Sequence, residues 1–457
     1  MTDESLTEKL ARRYSTLQFD QIPADVVNAA KLHILDSLGC LLAGSRLEAG
    51  RLAYELAVAT SGANDTSTLL GSDRRVSFLD AVQAMSVASH CGEMDDIHGG
   101  AGTCIGAMIV PALSAIGEKH GGPGEKFLEA AAVGYETIIR IGLAIDAPKL
   151  FAHGWWPSTI CGAFGVAAAG TKFLDLSFEQ TVNALGIASL HSGGMITGGN
   201  EGATARHLAF GHAAQNGVLA LLAAKQGFTG PKRALEDPRG FCLTLCNEPN
   251  WDYLQSFDSF HLPEVAFKPY PCARQLHAGV EALLKILRRT SLTPSAIEEI
   301  ELFLPAQNAA MMNRSSITAS HAATVGSGQY VTAVTVLRGK IDLASFESEF
   351  LDSVEVRELM NKIKISSSAD LDRHYPKYWS GRVAVRLFGG QTYSEEVIIP
   401  KGESGNPMTQ SEVEAKFLSL AAPVLGDQKA RSVIDEVSSL ESRNSLRPLL
   451  AALKLSG

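Results

Sequence analysis

The chain has 457 residues, 46% hydrophobic and 19% charged, the balance of a packed globular protein, and its length exceeds what one core usually holds, so two domains are expected. Lysine and arginine number 40 against 49 acidic residues, a formal net charge of -9, with no basic run able to neutralise a phosphate backbone, which excludes nucleic acid from the expected partners. An anionic substrate is not excluded, because a pocket needs only a few local cations.

The chain opens Met1-Thr2-Asp3-Glu4-Ser5, acidic and polar, without the basic start and apolar stretch of a signal peptide, and a cytoplasmic location is expected. From Ala24 to about Gln226 helical periodicity dominates, with residues 26–43, 127–144 and 178–190 reading as helices between Gly or Pro breaks. Several are apolar nearly all round and rich in Ala, Gly and Ser, the composition of helices buried on more than one face of a multilayer bundle. Residues 105–116 and 162–170 are apolar but fall short of the roughly 20 residues of a bilayer span, so they read as buried helices and no membrane partner is expected. The seven cysteines, Cys40, Cys91, Cys104, Cys161, Cys242, Cys246 and Cys272, are odd in number and scattered, which suits reduced thiols. Cys242 and Cys246 have one-turn spacing but no second pair, which favours burial over zinc.

The pattern changes after Pro269. Residues 300–304 read as a strand ending at Pro305, and residues 383–388, the turn Gly389-Gly390 and residues 393–399 read as a hairpin. Residues 279–289 and 354–363 have helical spacing and are expected to cover one face of a small antiparallel or mixed sheet. From Gln410 the chain is helical again. The expected fold is therefore mainly α: an all-α helical domain over residues 1–267, a smaller α+β lid domain over 268–405, and C-terminal helices over 406–457 returning to the first domain.

The densest polar cluster is His90-Cys91-Gly92-Glu93-Met94-Asp95-Asp96-Ile97-His98-Gly99-Gly100. One reading is a helix end that delivers a carboxylate and His98 into a pocket, neighbouring charges tuning them for proton transfer; the other is a solvated terminus or a buried Asp capping backbone donors. No metal is expected, since Asp95, Asp96 and His98 lack a diagnostic ligand spacing. A second segment, Phe267-Lys268-Pro269-Tyr270-Pro271-Cys272-Ala273-Arg274-Gln275-Leu276-His277, puts Lys268, Arg274 and His277 beside two stiffening prolines at the domain junction. Cations held there could bind a carboxylate and stabilise an enolate, or could belong to a plain linker. The glycine-rich run from Gly193 to His207 could cradle an anion on exposed amides but matches neither GxxxxGK[ST] nor GxGxxG. Trp155 and Trp156 read as packing or as a pocket wall. No G-x-S-x-G occurs, so proton transfer at carbon fits better than serine-hydrolase chemistry.

In order and spacing over almost the whole chain, several segments resemble the MmgE/PrpD family, which includes 2-methylcitrate dehydratase, cis-aconitate decarboxylase and iminodisuccinate epimerase. They are His33-Ile34-Leu35-Asp36-Ser37-Leu38-Gly39, Met94-Asp95-Asp96, the stretch from Gly154 to Gly162, Gly211-His212-Ala213-Ala214-Gln215-Asn216-Gly217, Gly227-Phe228-Thr229-Gly230-Pro231 and Lys268-Pro269-Tyr270-Pro271-Cys272. The resemblance implies a helical domain with an α+β lid, an active site at their junction, no cofactor, a homodimer, and a small carboxylate substrate. Carried over by position, it offers Asp95, Asp96, Lys268 and Tyr330; taken with the reading of the residues themselves, catalytic roles are expected for Asp95, His98, Lys268 and Tyr330, with Asp96, Thr103, Trp156, Arg206, Arg274 and His277 around the substrate. Thr103-Cys104-Ile105 replaces a His-Pro-Ser step, Trp156 a histidine, and Arg206 a lysine. The expected activity is a cofactor-independent lyase or isomerase, of dehydratase, decarboxylase or epimerase type, that removes a proton next to a carboxyl or carbonyl group. Its substrate is expected to carry fewer carboxylates or more bulk than those of the named members. The alternative is a non-catalytic carboxylate-binding homologue that keeps the fold.

Overall fold

The computed structural model describes residues 4–62, 66–197, 201–315 and 320–455. It is 61% helix and 8% strand, so the chain is mainly α with a smaller α+β part. Helix α1 (Leu6–Thr16) starts at Ser5 with a capping box, the Ser5 hydroxyl accepting from the Glu8 amide and the Glu8 carboxylate from the Ser5 amide. The helices that follow are α2 (Ala24–Gly44), α3 (Glu48–Thr60), α4 (Phe78–Cys91), α5 (Gly106–His120), α6 (Gly124–Ala144), α7 (Pro157–Phe173), α8 (Phe178–Leu190) and α9 (Leu208–Lys225).

Helix α7 is the centre of this layer stack: every residue from Pro157 to Phe173 is buried, with α6 and α9 as its main neighbours. Its small residues let those neighbours approach. A Cβ on Gly165 would lie 2.4 Å from Ile138 Cγ1 and 2.8 Å from the Gly134 carbonyl, so no larger residue fits there without moving α6. Helix α2, with 21 residues and a mean hydropathy of 1.4 over its most apolar window, is the one described helix long and apolar enough to cross a membrane. Here 67% of that window is buried, and the helix packs against α4 and against α12 (Gln410–Leu425).

A second, separate core collects buried side chains between Cys272 and Val397. It is built on a four-stranded mixed sheet in the order β2–β1–β3–β4, from β1 (Ile297–Leu304), β2 (Ile363–Ser367), β3 (Gly381–Leu387) and β4 (Thr392–Val397). Strands β1 and β2 are parallel, with Ile300 opposite Ile363; the other two pairings are antiparallel. Helices α10 (His277–Arg289) and α11 (Gly328–Arg338) supply much of its apolar filling. The expectation of one helix over 354–363 is corrected. The helix stops at Met360, and Ile363-Lys364-Ile365 pairs with β1, since edge pairing satisfies more backbone there than another helical turn would.

Helices α12 and α13 (Asp427–Ser438) return to the first core, burying Val413, Phe417, Ala421, Val433 and Val437 in it. The chain thus crosses between the two cores twice, and the crossings touch: the Phe267 amide donates to the Gly402 carbonyl at 3.1 Å.

Candidate active site

The last turn of α4 carries His90, and the chain then turns sharply. Glu93 takes φ 51, a left-handed conformation that costs a glutamate on the order of 1 kcal/mol and that persists only where surroundings hold it. Two contacts hold it here. Lys416 of α12 donates to the Met94 carbonyl at 2.6 Å while pairing with Asp36 at 2.6 Å, and Ile97 exchanges backbone hydrogen bonds with Ala266 at 2.9 and 2.8 Å. The Ile97–Ala266 bridge also fixes Lys268 two residues further on, against the turn.

The outcome is a buried array. Asp95 is 0% exposed and accepts from His90 Nδ1 at 2.9 Å and from Lys268 Nζ at 3.3 Å. Lys268 also reaches Glu93 Oε2 at 3.5 Å and Cys104 Sγ at 3.7 Å, and Arg206 pairs with the other Glu93 oxygen. His90 stacks on Phe210 with ring centroids 3.6 Å apart.

The charges follow from these contacts. Burial alone pushes the Asp95 carboxyl up, but His90 and Lys268 outweigh it and bring it down to about 2. Burial opposes the Lys268 charge, and Asp95 more than offsets it, so the amine is held above its ordinary value and is an ammonium. Burial lowers His90 despite Asp95, so the imidazole is neutral. Because a carboxylate only accepts, the single ring proton is on Nδ1. Nε2 then carries a lone pair, is buried without a hydrogen-bond partner among the described residues, and belongs to a residue that lines the cleft. A base oriented by a buried carboxylate and set beside an ammonium can take a proton from carbon and stabilise the oxyanion that forms.

Above this floor lies a cleft between the two cores. The first core contributes His90, Glu93, Trp156 and Arg206 to its lining, and the second contributes Arg274, Met311, Met312 and Arg314. The Arg206 guanidinium lies 5.2 Å from the centre of the Trp156 ring, a cation–π contact that fixes both. Arg274 is buried and latched to Glu403 at 2.6 Å, and it donates to His277 Nδ1 at 3.2 Å. His90, Asp95 and Cys104 also bring one possible metal-ligand atom each within 4.8 Å. The Lys268 ammonium already supplies positive charge to two of the three.

Of the residues singled out in the sequence, Asp95, Lys268, Trp156, Arg206 and Arg274 therefore come together. The others do not reach the cleft. His98 lines a different cavity, its Nδ1 accepting from the Ala101 amide at 3.0 Å and its Nε2 facing Glu264 at 3.4 Å. Asp96 is spent on structure: it accepts from the amides of Ile105 and Gly106, at 3.2 and 2.8 Å, and from Tyr135 at 2.5 Å, with His33 at 3.0 Å, and so caps α5. Thr103 is wholly buried and is not part of the cleft lining. His277 donates from Nε2 to the Cys272 carbonyl at 3.1 Å and holds Arg274 from its other side. Tyr330 sits in the second core with its hydroxyl donating to the Ser345 carbonyl at 2.8 Å. In the glycine-rich run, Gly198, Gly199 and Asn200 lie outside the described residues.

Of the acidic and basic side chains that line the cleft, His90, Glu93 and Arg314 were not among the sequence candidates. His90 and Glu93 stood in the quoted acidic cluster, and their signal was a polar pair at the end of an otherwise apolar helix. Arg314 has no local signal, because only the docking of the two cores brings it to the cleft.

Residues 8–254 match the MmgE/PrpD N-terminal domain and residues 270–441 the MmgE/PrpD C-terminal domain. The chain is 30% identical to a cis-aconitate decarboxylase of Mus musculus, with 99% of this chain and 94% of that protein covered. It is 28% identical to a cis-aconitate decarboxylase of Aspergillus terreus, over 98% of this chain and 96% of that one. A cis-aconitate decarboxylase-like protein of Aspergillus oryzae, oryM, is 27% identical over 98% and 97%. Matched by both domain models across nearly its whole length, and aligned end to end with these relatives, the chain belongs to the MmgE/PrpD family.

Proposed function

We propose that this protein is a lyase-type enzyme that acts on a small carboxylate, without a bound cofactor, by moving a proton at the carbon next to a carboxyl or carbonyl group. The observation that carries the reading is the buried His90–Asp95–Lys268 array on the floor of a cleft rich in arginine. The decarboxylase names of the relatives support the lyase class.

In this reading His90 Nε2 takes the proton from the substrate carbon, and the electron pair left behind moves onto the carboxyl or carbonyl oxygen as an enolate. Asp95 stabilises the imidazolium that forms, and the Lys268 ammonium stabilises the enolate oxygen. Collapse of the enolate expels a leaving group from the next carbon, with His90 returning its proton to that group. The reacting carbon therefore loses its hydrogen, and reversal of the first step before the leaving group departs returns a solvent-derived hydrogen to it. The test is incubation of the full chain with a panel of small carboxylic acids in heavy water, followed by mass spectrometry. A turned-over acid must gain or lose hydrogen at that carbon. Turnover without it refutes the mechanism.

A further inference from the structure

Three rings meet His90 among the described residues, and they differ in how they meet it. Trp156 and His207 stand at steep angles to the imidazole, 66° and 60°, with ring centroids 5.5 and 5.4 Å away. Phe210 lies flat on it, at 9° with centroids 3.6 Å apart. Neutral aromatic rings prefer an edge contact or an offset stack with centroids about 4.5–7 Å apart, because their negative faces repel. A pair this close and this parallel is nearly face to face, an arrangement that suits a positive charge over the ring. The packing of α9 on α4 sets it. Gly211, next to Phe210 on α9, faces α4 so closely that a Cβ on it would lie 2.7 Å from the Gln83 carbonyl oxygen and 2.9 Å from Val87 Cγ2, one turn before His90.

His90 needs such support at the moment when it holds the substrate's proton. Burial opposes the imidazolium, and so do the nearby charges of Arg206 and Lys268. Asp95 favours it but divides its oxygens between His90 at 2.9 Å and Lys268 at 3.3 Å. The face of the buried Phe210 ring is a second negative surface against the imidazole, whereas Trp156 has the Arg206 guanidinium over its own ring at 5.2 Å. A cation on a ring face screened from water, where the charge forms in the transition state, is worth about thirtyfold in rate.

Resting on the reading of His90 as the base, we propose that Phe210 is a positioning residue for the reaction: its ring face holds the imidazole in place and stabilises the imidazolium that forms as His90 takes the proton. Phe210 is not part of the cleft lining, so it acts through His90 and leaves substrate binding alone.

The test keeps the shape of the ring at Phe210 and changes the charge of its face. In the full chain Phe210 is replaced by phenylalanines carrying one, three and five ring fluorines, which make the face progressively less negative, and kcat and KM are measured on an acid that the parent turns over. The expected result is a stepwise fall in kcat, reaching about thirtyfold with five fluorines, while KM stays within about twofold of the parent. The same fluorines on Phe164, buried in α7 against Phe241 with centroids 4.8 Å apart and outside the cleft lining, should leave kcat unchanged. Phe210→Leu keeps an apolar side chain and removes the face, so it should lose about as much kcat and answers the question if a fluorinated chain does not fold. A kcat that ignores fluorination, a loss carried by KM instead, or an equal loss from Phe164 overturns the proposal. Should that happen while His90→Gln is inactive in the same assay, the reading of His90 as the base stands without it. A parent that turns over acids with no change in isotope at the carbon refutes that reading, and the proposal with it.

Discussion

Replacing Asp95 by asparagine removes a charge from the array without removing volume, and two consequences can be worked out. The first is on stability. The folded carboxyl sits at about 2 against an ordinary 3.8, so its ionisation contributes about 2 kcal/mol that is present above pH 4 and lost as pH falls toward 2. The asparagine variant forfeits that contribution and leaves Lys268 with Glu93 at 3.5 Å as its remaining carboxylate, so unfolding at pH 7 should become easier by about 2–4 kcal/mol. The second is on chemistry. If the amide oxygen accepts from Lys268, the amide nitrogen donates to His90 Nδ1, which moves the ring proton to Nε2 and removes the lone pair from the cleft. In a histidine–aspartate pair that swap costs on the order of 10⁴ in kcat, about 5 kcal/mol of transition-state stabilisation. Urea denaturation followed by circular dichroism reads the first effect, and solvent exchange at the carbon next to the carboxyl reads the second. An asparagine variant that folds and exchanges within tenfold of the parent refutes the assignment of His90 as the oriented base. Should the variant not fold, His90→Gln puts the same question to the other partner.

Stability should fall on mild acidification. His90, His207, His277 and His321 are held neutral chiefly by burial, His321 down to about 4, so each contributes stability that is intact above pH 6.5 and declines below it by about 1.4 kcal/mol per pH unit. Melting temperatures measured from pH 7.5 to 5 should drop steadily below 6.5, and a flat profile contradicts the neutral assignments. Lys416→Met strands the buried Asp36 carboxylate and should cost about 3–5 kcal/mol in urea denaturation, with Asp36→Asn on top recovering part of it. No recovery would mean that the pair does not act as a unit. Gly106→Ala drives a methyl to 2.0 Å from Ser37 Oγ and 2.5 Å from the Tyr135 hydroxyl at the cap that Asp96 provides, for a loss of about 3 kcal/mol in the same assay. An unchanged midpoint would show that α5 can move aside.

The helical layers were legible because period and composition agree. Residues 26–43, 127–144 and 178–190 fall within α2, α6 and α8, and their Ala and Gly content announces burial on several faces. Strand β2 was not legible, since five residues directly after a short helix acquire strand character only by pairing with β1. The site was legible in part. Lys268 and Arg274 stand on a proline-stiffened junction that marks itself, whereas neighbouring carboxylates do not say which way each points. Asp95 and Asp96 are adjacent, yet one faces Lys268 and the other caps α5. The choice between His90 and His98 turned on the left-handed turn at Glu93, a glutamate that no propensity would place there. Tyr330 was matched to the family by position, and position does not reveal that its hydroxyl is spent on the Ser345 carbonyl.

The central claim is that neutral His90, oriented by Asp95 and set beside the Lys268 ammonium, moves the proton. Its most direct measurement is deuterium content at the carbon next to the carboxyl, determined by mass spectrometry after the parent, His90→Gln and Lys268→Met proteins have each turned over the same small carboxylic acid in heavy water. The account predicts exchange in the parent and a loss of about 10³ or more in each folded variant. Exchange undiminished in His90→Gln, or turnover by the parent with no change in isotope at that carbon, contradicts it.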